Sequence, residues 1–70
     1  MARYTIISHD GETLGIAYDS ATAAMWVAPL GPGAAVKVGA KVVWTEGVDG
    51  QAGESYDAAA EQIDANAVNR

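Results

Sequence analysis

Hydrophobic and polar positions alternate most clearly from Ala34 to Thr45. Val36, Val38, Ala40, Val42 and Trp44 share one parity, and Ala35, Lys37, Gly39, Lys41, Val43 and Thr45 share the other. A period of two marks a strand with one covered face, so this stretch predicts a long strand with a buried side and a lysine-bearing side. Gly39 in its middle marks a bulge or bend, or divides the stretch into two shorter strands. Arg3 to Ser8 is rich in β-branched and aromatic residues and predicts another strand. Asp10-Gly11 then signals a hairpin turn. Beyond it, Thr13 to Tyr18 alternates again, with Leu14, Ile16 and Tyr18 on the side expected to be buried.

Elsewhere the period lengthens. Asp19-Ser20 is a helix N-cap signal, Ala21 to Ala28 has no internal Gly or Pro, and Pro29 stops the run. This predicts a short helix that needs tertiary packing, because an isolated helix of this length is marginal in water. It is apolar almost all round, and Trp26 projects away from Ala21, Met25 and Ala28. One side therefore meets either more of the core or a partner. After the glycine-rich Glu46 to Gly53, a second helix is expected to start between Gly53 and Ser55 and run toward Arg70. At about 100° per residue, Glu54, Asp57, Glu61 and Asp64 fall in a stripe roughly 80° wide, opposite Tyr56, Ala59, Ala60, Ile63 and Ala67.

These elements predict an α+β domain in the order β-β-α-β-α. Its antiparallel sheet has three strands, or four if Gly39 divides the third, with two helices on one face. The chain of 70 residues makes one domain. A domain of that size buries only about 60% of the surface its unfolded chain exposes, so its core is thin or completed by a second copy. Cysteine is absent, which removes disulfides and thiolate metal sites. The most apolar run, Ala21 to Leu30, is far short of the roughly 20 residues that span a bilayer, and a cytoplasmic location is expected.

Charge changes the picture more than composition does. The net charge is −5, and acids and bases cancel in residues 1–45. Residues 46–70 carry Glu46, Asp49, Glu54, Asp57, Glu61 and Asp64 against Arg70 alone. That balance disfavours direct contact with nucleic acid or an anionic membrane and favours a basic protein partner. The ordinary role of an acidic stripe is a solvated helix face with its first members near the positive end of the helix dipole. This stripe differs in lacking the basic residues that helices usually intersperse. Glu54, Asp57, Glu61 and Asp64 are therefore the candidate partner contacts. Trp26 joins them as an interaction anchor or a homodimer contact.

No motif for catalysis or for a cofactor is present. Ser8-His9-Asp10 contains triad residue types, but neighbours in a strand or turn point different ways. Gly31-Pro32-Gly33 lacks the pattern of a phosphate-binding loop, and Asp49, Glu54 and Asp57 lack EF-hand spacing. Neither catalysis nor a metal is expected. Size, acidity, missing cysteine and the strand-and-helix layout resemble the small acidic inhibitor proteins of phages and mobile elements, the anti-CRISPR and DNA-mimic proteins. The resemblance implies a non-enzymatic inhibitor that occupies a basic, nucleic-acid-binding surface of its target. The alternative is a homo-oligomeric assembly module of a phage or mobile element.

Overall fold

Strand β1 (Tyr4–Ile7) lies inside the sheet and pairs on both sides, with β2 (Thr13–Ala17) and with β3 (Ala35–Val38). Strand β4 (Lys41–Thr45) completes a four-stranded antiparallel sheet in the order β2-β1-β3-β4. Helix α1 (Ser20–Val27) follows β2, and α2 (Tyr56–Val68) follows β4. The computed structural model describes residues 3–49 and 55–68. The α+β class and the antiparallel sheet agree with the sequence. The element order is β-β-α-β-β-α, because the predicted single strand from Ala34 to Thr45 is two strands. Gly39 divides it: Val38 pairs with Lys41 across Gly39-Ala40, and Gly39 has φ +61°. A positive φ at the first central residue alone is the mark of a type II′ hairpin turn, whose twist matches that of the strands it joins.

Both helices pack on the sheet face that carries Tyr4, Ile6, Val36 and Trp44. Helix α1 sits on β1, β2 and β3, and α2 sits against β4 and α1. The α1 face turned inward is Ser20, Ala23, Ala24 and Val27, one helical stripe with three and four residue spacing. Its N-cap is Asp19, whose carboxylate accepts the Thr22 amide at 2.7 Å. A short 3-10 turn (Ala28–Leu30) carries Pro29 and ends the helix. On α2 the inward residues are Ala59, Ala60 and Ile63, with Ala67 packed against them. Tyr56, expected in this stripe, is 53% exposed.

Two bulges reset the parity read from the sequence. On β2, Ile6 pairs with Gly15 and Ile7 with Thr13, so Leu14 is an extra residue. Gly15 and Ala17 then turn toward α1, while Leu14, Ile16 and Tyr18, expected inside, are exposed. Ala17, 1% exposed, suits the close approach of an alanine-faced helix, and Gly15 faces the Trp26 ring. On β4, Val36 pairs with Trp44 and Lys37 with Val42, which leaves Val43 extra. Val43 and Trp44 are both buried, and Val42 is exposed instead. A bulge places two consecutive residues opposite one, which is how the expected alternation breaks.

At the end of the sheet that holds the first hairpin turn, three loops meet. Gly33 donates its amide to Glu46 O at 2.9 Å, and Glu46 returns its own to Ala34 O at 2.8 Å. Gly33 has φ +96°, and a Cβ there would stand 3.0 Å from Cβ of His9. Gly33→Ala is therefore expected to lower stability by about 1–2 kcal/mol from left-handed backbone strain, with the close contact adding to it. Urea denaturation would measure it; an unchanged midpoint would show that the loop shifts freely.

Candidate interaction surface

The outer face of α2 was the first candidate in the sequence. Asp57 and Glu61 are exposed on it, one turn apart, and no Lys or Arg occurs in Tyr56–Val68. Glu54 lies outside the described residues. Asp64 behaves differently from its neighbours. One carboxylate oxygen accepts the Tyr4 hydroxyl at 3.0 Å, and the other accepts the Ser20 hydroxyl at 2.8 Å. Tyr4 and Ser20 are 5% and 8% exposed. Asp64 thus ties α2 to β1 and to the first turn of α1. Burial, followed by the bond to Asp64 and the negative charges of Asp64 and Asp19, raises the Tyr4 pKa above its ordinary value. Asn66 adds a second tie, donating to the Val43 carbonyl at 2.8 Å.

Trp26 is 46% exposed and stands beside a groove of about 210 Å³ lined by Ile6, Leu14, Gly15, Trp26 and Leu30. It lies on α1, and no α2 residue lines its groove, so Trp26 stands apart from the outward pair Asp57 and Glu61. Trp44, by contrast, is fully buried, and its indole N–H donates to Glu46 Oε1 at 3.3 Å.

The side of the sheet away from the helices is set by register. Thr5 pairs with Ile16 and with Lys37, and Lys37 with Val42. Ile16 and Val42 are 41% and 49% exposed there. The predicted two-lysine face is reduced to Lys37, because the β4 bulge moves Lys41 to the other parity, opposite Val38.

Ser8 Oγ donates to the Asp10 carboxylate, which also accepts the Glu12 amide at 3.3 Å. The bonds from Ser8 and Glu12 lower the Asp10 pKa. His9 is exposed between them. Asp49 closes the turn after β4 by accepting the Thr45 amide at 2.8 Å. Among the described residues, no group of three or more His, Asp or Glu side chains could hold a metal ion. No helix among them is long and apolar enough to cross a membrane.

Sequence reading missed the Tyr4–Asp64–Ser20 tie, because its partners are 60 and 44 residues apart and no local pattern links them. It also missed Leu14, Gly15 and Leu30 as neighbours of Trp26. A bulge creates that wall, and the only local sign was a glycine inside a strand pattern. The chain matches no known protein family, no curated protein and no solved structure.

Proposed function

We propose that this protein is a non-enzymatic binding module whose α2 face docks on a basic surface of another protein. The observation that supports it is the pair Asp57 and Glu61, both exposed on a helix with no basic residue. Exposed anions without counter-charges steer a cationic partner and strengthen its encounter. The engagement of Asp64 by Tyr4 and Ser20 trims the reading. Among the described residues, mimicry of a phosphate row would rest on Asp57 and Glu61, with Asp64 held by Tyr4 and Ser20. An inhibitor of a nucleic-acid-binding protein is one such module.

The test uses a partner captured from the native host and identified by mass spectrometry. Raising salt from about 0.1 to 1 M shortens the Debye length from about 10 to 3 Å, so affinity should fall steeply. The variant Glu54→Gln/Asp57→Asn/Glu61→Gln should stay folded and bind weakly. Affinity indifferent to both changes would end this reading.

A second reading, self-association, is favoured by the exposed Ile16 and Val42 on the sheet face away from the helices. Its expected result is a dimer or larger species in sedimentation that Ile16→Lys returns to monomer. A clean monomer at all concentrations would remove it.

A further inference from the structure

We propose that the outer edge of β2 and the groove beside it form a docking site for an extended segment of a partner protein, with an apolar side chain set between basic residues. The site is separate from the α2 face and stands or falls without it. Among the described residues β2 ends the sheet, so half of its backbone N–H and C=O groups point away from β1 with no strand partner among them. Proteins commonly blunt such edges with charge or proline. Both edge strands carry a bulge, at Leu14 on β2 and at Val43 on β4, and the opposite edge adds a charge, with Lys41 leading β4. Thr13 to Tyr18 contains neither a charge nor a proline.

The groove supplies what a bare edge lacks, a means of choosing side chains. Ile6, 2% exposed, is its floor, and the bulge aims Leu14 at its wall beside Trp26 and Leu30. Gly15 keeps it open: a Cβ added there would stand 3.8 Å from Cζ3 of Trp26. At about 210 Å³ it lies below the roughly 300 Å³ where sites for drug-sized ligands begin, and it suits a single side chain. Strand addition works by this division: backbone bonds give affinity and a flanking pocket gives specificity.

Charge identifies the occupant. Asp10 and Glu12 lie before β2 and Asp19 after it, all exposed. From Tyr4 to Val36 there is no Lys or Arg. A segment laid along β2 therefore meets anions at both ends and apolar surface between them. Basic residues flanking a Leu, Met or aromatic side chain are the complement.

Capped peptides test this, with Leu, Met, Phe or Tyr in a Thr-Val background between terminal lysines. In an NMR titration, shifts should cluster on Gly15 to Tyr18, Leu30 and the Trp26 indole, with slowed exchange of β2 amides. Glutamate in place of the lysines should weaken binding, and N-methylation of the peptide backbone should abolish it. Trp26→Ala and Gly15→Val should each cost about tenfold or more in affinity, a loss of about 1.4 kcal/mol. Gly15 lies outside the left-handed region, so the valine probes the groove and not the backbone. Asp57→Asn/Glu61→Gln should bind the peptides as the parent does, which separates this site from the α2 face. Shifts centred on α2, equal binding of glutamate-flanked peptides, or no binding at about 1 mM, an affinity near 4 kcal/mol, would overturn the proposal. So would a β2-paired dimer of the protein alone, which would assign the edge to a second copy.

Discussion

Trp44→Ala should be the most destabilising single change in the chain, at about 3–5 kcal/mol. Trp44 is 1% exposed and the largest fully buried side chain in the domain. It stands opposite Val36 at the β4 bulge. Truncating a buried Trp costs about 3–5 kcal/mol in lost burial and residual cavity. A chain of 70 residues has a total stability of only about 4–10 kcal/mol. The variant therefore spends between a third and all of the margin. Near-ultraviolet circular dichroism and urea unfolding would read the loss. Trp44→Phe, which keeps most of the volume and drops the bond to Glu46, should lose much less. Equal melting of Trp44→Ala and the parent would mean that the core lies elsewhere.

Asp64→Ala should be the second most damaging change, although Asp64 itself reaches solvent. It removes the acceptor of two part-buried hydroxyls, on Tyr4 and Ser20, and a buried group left unsatisfied costs about 1–3 kcal/mol. Restoring balance should restore stability: adding Tyr4→Phe and Ser20→Ala to Asp64→Ala should recover part of the loss, since all partners are then apolar. The same tie predicts an alkaline limit. The folded Tyr4 pKa is raised above 10.0, so the native chain holds a proton that the unfolded chain releases. Its contribution is complete below about pH 10 and disappears as pH climbs through the folded value. Tyr4→Phe should flatten that alkaline decline. A decline unchanged in Tyr4→Phe would place its origin in another group.

Elements with a local cause were legible in the sequence. Asp19 caps α1, Pro29 ends it, and Asp10-Gly11 turns the first hairpin, each through chemistry within a few residues. The inward face of α2 was legible through Ala59, Ala60 and Ile63, because helical spacing survives without knowledge of the partner. The burial side of β2 was not. A period of two says that residues alternate, and size suggests that Leu14, Ile16 and Tyr18 go inside. The register with β1, Tyr4 opposite Ala17 and Ile6 opposite Gly15, instead turns Gly15 and Ala17 to the helix side. Likewise Val42 and Val43 exchange places because one extra residue in β4 shifts the register, and a shift of one residue inverts every side chain beyond it. Of the candidate contacts, the exposure of Asp57 and Glu61 followed from helical spacing. The inward engagement of Asp64 needed tertiary structure.

The bond from Asn66 to the Val43 carbonyl carries a kinetic implication. A bulged residue's backbone has no complete ladder of its own, and here a side chain from the far end of the chain completes it. The four strands and α1 can assemble before that amide arrives, since their pairings close over shorter spans. Docking of α2 would then be the last event in folding and the first reversed in breathing. Native-state deuterium labelling should find α2 amides opening at lower free energy than those of β1 and β3, with Asn66→Ala widening the gap.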